Sequence, residues 1–256
     1  MLNVKRIFGE YYAYSLAFLI ALIILWEIVC DLGYIARLYL APPSAIVASL
    51  WEMTLTGEIA EHLSASMYRV AIGVALGSAI GIVVGFLLGI SKFFYAIVDP
   101  IIAAIYPLPK IALLPLIILW FGIGEESKIF VIALTAFFPV AINTMSGVRT
   151  TDPILIKAAE NLGAKRSQVI TKVILPSSLY SILTGLRLGI GLALVVLVSA
   201  EMIAAKSGLG FFVLLAADLL LTSKLFVGLL ILSILGILTT KALEYLNRKL
   251  IPWRAY

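Results

Sequence analysis

Val70-Ala-Ile-Gly-Val-Ala-Leu-Gly-Ser-Ala-Ile-Gly-Ile-Val-Val-Gly-Phe-Leu-Leu-Gly-Ile90 decides the fold of this chain. The run carries no charge and matches the roughly 20 apolar residues that a helix needs to cross about 30 Å of hydrocarbon. Its glycines, Gly73, Gly77, Gly81, Gly85 and Gly89, recur every four residues and so lie along one stripe of a helix. Such a stripe lets a second helix approach to backbone distance, where dispersion contacts drive association in lipid. Helix packing is the expected role; a pore wall made of backbone is the alternative. Gly185 and Gly189 repeat the device further on.

The whole chain agrees with this run. It has 256 residues, 62% hydrophobic and 13% charged, with a mean hydropathy of +1.12. Soluble domains are about 45–50% apolar and about 25% charged, so an ordinary water-soluble enzyme is excluded, as is a disordered chain. Cys30 is the one cysteine and His62 the one histidine, which excludes an internal disulfide and leaves no thiolate or histidine metal cluster. His62 reads as a surface or helix-end residue. A net charge of +5 suggests nucleic acid in a soluble protein, but here it follows from basic cytoplasmic loops. The fold class is an all-α, polytopic membrane protein, a single transmembrane domain over residues 1–256.

Six spans are expected, at about residues 12–34, 68–90, 95–120, 129–148, 182–204 and 225–243. The first has Lys5 and Arg6 before it like a signal peptide, but Trp26, Glu27 and Asp31 follow instead of a cleavage site, so it reads as uncleaved. After Pro42 and Pro43, Ser44 is placed to cap a short helix running to about Met53. Residues 121–128 read as a turn. Residues 211–221 are apolar but about half the length needed to cross and contain Asp218, which favours a re-entrant or interfacial segment. With six spans and a cytoplasmic N-terminus, the inner segments hold 12 of the 19 basic residues and the outer ones four. That bias puts both termini and Lys165 inside and Glu58 outside a cytoplasmic membrane.

Four polar residues in the spans are candidates for a translocation path: Lys110, Asn143, Arg187 and Glu201. An ionisable group inside a membrane is a functional candidate by default. Lys110 follows Tyr106-Pro-Leu-Pro, and irregular backbone at that depth is tolerated where it is buried in protein or lines a cavity. The competing reading for Lys110 and Arg187 is snorkelling to the interface or a structural bond to carbonyls.

Residues 149–180 are polar and basic and cannot lie in lipid. Asp152-Pro153 supplies an N-cap with proline at the next position. A short helix is expected to run to about Leu162, with Gly163 in the left-handed position after it. Ser167 is placed to cap a second helix that Pro176 ends. The result is a helix–turn–helix knob, with Ile154, Ala158, Ala159 and Leu162 on one apolar face. An exposed apolar face rimmed by basic residues suggests a partner protein.

This loop resembles the EAA motif of the permeases of ATP-binding cassette importers. The matching residues are Lys157-Ala-Ala159, then Gly163 four residues on, then Leu175-Pro176, with Lys157 standing where the motif has glutamate. Leu40-Ala-Pro-Pro-Ser44, Tyr68-Arg-Val-Ala-Ile-Gly73, Pro115-Leu-Ile-Ile-Leu-Trp-Phe-Gly-Ile-Gly124, Phe137-Phe-Pro139 with Asn143-Thr144, and Gly185-Leu-Arg187 resemble the nitrate/sulfonate/taurine/bicarbonate branch. The resemblance implies a type I importer permease fold and a homodimer with the path at the subunit interface. It implies two separate ATPase subunits, which bind ATP and Mg and receive the loop, and an extracytoplasmic binding protein that delivers the solute. The ATPase-coupling residues it implies are Lys157, Ala158, Ala159, Glu160, Leu162, Gly163, Leu175 and Pro176. The chain itself carries no Gly-x-x-x-x-Gly-Lys-Ser/Thr phosphate loop, so it is expected to be non-catalytic and to bind no cofactor. Intramembrane cations favour an anionic solute. A secondary transporter or channel is the alternative; it predicts coupling-ion carboxylates inside spans, and only Glu201 is available. No nucleic-acid partner is expected.

Overall fold

The computed structural model describes residues 2–250, with side chains from Tyr14 onward. The side chains of Lys5 and Arg6, and Arg254 and Tyr256 as a whole, lie outside the described residues. Eleven α-helices follow one another among the described residues: α1 Leu2–Asp31, α2 Pro43–Thr56, α3 Glu58–Ile90, α4 Lys92–Ile105, α5 Leu114–Phe121, α6 Glu125–Arg149, α7 Pro153–Asn161, α8 Arg166–Val169, α9 Leu175–Ala204, α10 Leu209–Asp218 and α11 Thr222–Leu250. Five segments are long and apolar enough to cross a membrane, and six if α4 and α5 count as one broken span.

The third span, expected over 95–120 with prolines interrupting it, is broken sharply: α4 and the segment Lys110–Phe121 meet at 90°. Pro107 and Pro109 have no backbone N–H to continue the ladder, so α4 stops and a 3₁₀ turn, Lys110–Leu113, starts the next piece. The other spans extend beyond their apolar runs, α3 beginning at Glu58 and α9 at Leu175. The expected turn over 121–128 shrinks to Gly122–Gly124. Glu125 and Glu126 form the first turn of α6, where negative charge is favourable at a helix N-terminus.

Two compact units divide the chain. The smaller comprises residues up to Glu61 and Phe212–Ile231, with Ala41, Ile46, Met53, Phe212 and Val227 as its core. Ser44 does not cap α2. Pro42 holds the cap position, and the Ser44 N–H donates to Glu27 Oε2 at 3.0 Å. A carboxylate from α1 thus takes a donor that the helix start leaves unpaired.

The larger unit comprises His62–Phe211 and the chain from Leu232 onward. Its centre is α6, buried between two glycine-lined helices. On one side α3 lays Gly73 against Ile132, Gly77 against Ala133, Gly81 against Phe137 and Val140, and Gly89 against Val148. On the other, α9 brings Gly185 to Asn143 and Pro139, and Gly189 to Ala136. Val70, Leu114, Val131, Ile132 and Leu197 are among the residues of its main core. The stripe therefore packs helix on helix within one chain.

Candidate functional site

The knob between α6 and α9 is built as its sequence dictates. Asp152 Oδ1 accepts the Ile154 N–H at 2.8 Å, closing the N-terminus of α7. At the other end Gly163 takes φ +79°. Its N–H donates to Glu160 O at 2.9 Å, and that of Ala164 to Ala159 O at 3.0 Å. That pair of bonds is a Schellman cap, which needs a residue tolerant of positive φ. Leu162 is 88% exposed and Ile154 72%; Lys157, Ala158, Glu160, Leu175 and Pro176 are also exposed, and Ala159 half-buried. Ala159, Leu162, Gly163, Ala164 and Val173 line part of a shallow hollow of about 340 Å³.

Two local expectations fail here. Lys165, not Ser167, precedes α8, and its N–H is taken by Gln168 Oε1 at 2.7 Å. Pro176 does not end a helix, because helical structure is continuous from Arg166 to Ala204. Proline removes one donor, and the π turn Ile170–Ile174 just before it absorbs the local change in hydrogen-bond pattern.

The four polar span residues lie apart. Lys110 sits at the break of the third span, where its ammonium donates to the carbonyls of Tyr106 and Ile105. It also lies 4.6 Å from the centre of the Phe138 ring. Asn143 Nδ2 donates to Pro139 O at 2.8 Å. Arg187 pairs with Glu244 of α11, both about half-exposed. Glu201 is completely buried at the end of α9 remote from the knob. Among the described residues no hydrogen bond or ion pair joins any two of these four.

Around Glu201 the structure assembles a group that sequence reasoning missed. Arg69 is 2% exposed. Its Nη1 donates to Glu201 Oε1 at 2.6 Å and to Ser207 O at 2.7 Å. Its Nε and Nη2 donate to the two oxygens of Glu125 at 2.6 and 2.8 Å. Ser66 Oγ and the Gly210 N–H each donate to Glu201 at 2.8 Å, so both carboxylate oxygens are satisfied. Lys128, 3% exposed, donates to Ala204 O at 3.1 Å. His62 is buried, not superficial, and its Nδ1 accepts the Gly208 N–H at 3.2 Å. Arg69 and Lys128 thus balance Glu201 and Glu125 in a cluster that ties together α3, α6, α9 and the start of α10. A charge taken out of water needs such partners. The signal in the sequence was an arginine next to an uncharged run; its partners lie far along the chain. Among the described residues no group of His, Cys, Asp and Glu could hold a metal ion.

Residues 77–252 match the model of the family described as binding-protein-dependent transport system inner membrane component. The chain belongs to this family. It is similar to a putative aliphatic sulfonates transport permease of Bacillus subtilis, 42% identical over 91% of this chain and 84% of that protein. It is 40% identical to a taurine transport system permease of Escherichia coli, over 93% and 89% of the two chains. A formylaminopyrimidine transport permease of Halalkalibacterium halodurans is 33% identical over 93% and 94%. Among solved structures, a chain of the inward-facing MetNI methionine ABC transporter shares the fold, with TM-score 0.66 and 21% identity over 74% of this chain and 94% of that one. This chain is therefore a non-catalytic, multi-pass permease subunit of an ATP-driven importer in the inner membrane, and its family works with an ATPase and a substrate-binding protein.

Proposed function

We propose that this chain pairs with a second copy of itself to form the path for a small organic anion of the sulfonate class. Two ATPase subunits, holding ATP and Mg, dock on the knobs from the cytoplasm, where both termini also lie. The relatives with 42% and 40% identity are named for aliphatic sulfonates and taurine, whereas the formylaminopyrimidine relative is more distant. Lys110 is the observation that carries the anion reading. α4 rises about 21 Å from Lys92, and Phe138, beside the ammonium, lies halfway along α6. A cation at that depth, at a break in a span and only half-buried, has the placement expected of a solute contact. Asn143, Arg187 and Glu201 remain candidates for other parts of the path.

The carbonyl bonds of Lys110 favour a second reading, in which it only caps the end of α4. Reconstitution with the ATPase and binding protein separates the two. We expect ATP-dependent uptake of taurine or an alkanesulfonate in preference to methionine. Lys110→Met should lose most uptake while keeping bound ATPase and the wild-type melting temperature, and Lys110→Arg should keep part of it. Full uptake by Lys110→Met would leave the lysine a structural cap.

A further inference from the structure

Of the buried charges around Arg69 only Glu201 is a candidate for the path, and the cluster as a whole stands at the end of a lever. Residues 166–204 form one continuous helical stretch of 39 residues, on the order of 60 Å at about 1.5 Å per residue. One end of this rod is the exposed knob; the other is the segment Glu201–Ala204. Midway, the rod meets α6 through Gly185 and Gly189, which face Asn143, Pro139, Val140 and Ala136. This contact is close and carries no charge, so a shift of the rod there breaks no ion pair. The far end is keyed instead. Glu201 is held by Ser66, Arg69 and Gly210, and Arg69 grips both oxygens of Glu125 at the start of α6. A bidentate guanidinium–carboxylate pair fixes direction as well as distance. The connecting loop is seated tightly on the cluster, since a Cβ at Gly208 would collide with Glu201 and Arg69.

We infer that Glu201, Arg69 and Glu125 are positioning residues that pass a displacement of the knob along α9 into the opposite ends of α3 and α6 and the start of α10. None of them needs to touch the solute for this role. The inference rests on the proposed docking of the ATPase at the knob.

Glu201→Gln removes one charge while keeping the shape of the side chain. Glu125→Gln does the same at a carboxylate that is 45% exposed, where water solvates the substituted amide and the fold is disturbed less. The protein is reconstituted with its ATPase and binding protein, and uptake per ATP hydrolysed is measured. Fluorophores on Ser177→Cys, near the knob, and on Ile123→Cys, near Glu125, report nucleotide-dependent movement at the two ends; the native Cys30 is buried. Both Gln variants should retain bound ATPase and the response at position 177. The response at position 123 should disappear and uptake per ATP should fall about tenfold, a size usual for coupling between sites. An unchanged ratio, or uptake and hydrolysis falling together in Glu125→Gln, overturns the inference. If Glu201→Gln does not accumulate, Glu125→Gln decides alone. A wild-type complex without bound ATPase would instead sink the reading of the knob, and this inference with it.

Discussion

Replacing Gly77 by alanine probes the contact between α3 and α6 where it is tightest. A Cβ there would meet the Ala133 carbonyl oxygen, and would lie 2.8 Å from Ala133 C and 2.9 Å from its Cα. Carbon atoms sit best about 3.5–4.0 Å apart, so the helices must separate by about 1 Å. The obstacle is backbone and cannot swing aside. A gap of about 0.5–1 Å forfeits a quarter to a half of the dispersion well for the atoms it separates, and overpacking of this kind costs about 1–3 kcal/mol. The added methyl returns about 0.5–1 kcal/mol through helix propensity. The net loss is then on the order of 1–2 kcal/mol, or a few degrees in melting temperature for a chain of this size. Gly236→Ala is the control, because nothing lies within 4 Å of a Cβ at that position of α11; it keeps only the propensity gain. The assay is thermal unfolding of both variants in the same detergent. Gly77→Ala melting at or above Gly236→Ala would refute the close-packing argument. Gly81→Leu, with Phe137 O 2.8 Å from the Cβ position, should prevent assembly altogether.

Two further outcomes follow from the knob and the charge bias. Gly163→Val should insert normally but lose bound ATPase or substrate-stimulated hydrolysis. Its positive φ costs a residue with Cβ about 1–2 kcal/mol, although nothing stands within 4 Å of the new atom. Ala159→Glu should do the same by placing an unpaired charge in the docking face; wild-type copurification and hydrolysis in both variants would remove the knob from the mechanism. A cysteine at Lys165 should react with an impermeant thiol reagent only from the cytoplasmic side, and one at Glu58 only from outside; the opposite pattern would overturn the orientation.

Much of this architecture was legible because membrane constraints act locally. An uncharged run of sufficient length forms a span, and four-residue glycine spacing forms a stripe, whatever surrounds them. The cap at Asp152 and the left-handed Gly163 are equally local, since each depends on one residue's own bonds. Errors arose where two distant segments compete for one group. Ser44 has the right chemistry to cap α2, but the helix already begins at Pro43, and Glu27 from another helix accepts the N–H and O–H of Ser44 inside its first turn. Pro176 is a helix breaker in isolation. Here the neighbouring π turn and the continuation into α9 outweigh its missing N–H.

The Arg69 cluster was not legible, for a related reason. Glu125 and Glu201 are 56 and 132 residues from Arg69 in sequence, and no spacing rule links them. An arginine at the head of an apolar run reads as equally fit for snorkelling, and an acidic pair after Gly-Ile-Gly reads as a turn. Only folding brings them to one point, where α3, α6 and α9 converge and Arg69 and Glu201 are taken out of water. These two then replace each other's solvent, and removing the Glu201 charge leaves Arg69 buried and short of a partner at about 3–5 kcal/mol. Such a cluster is strongly determined in the structure and nearly silent in the sequence. The informative residue in a chain of this composition is thus a charge for which no interface, cap or loop offers a nearby explanation.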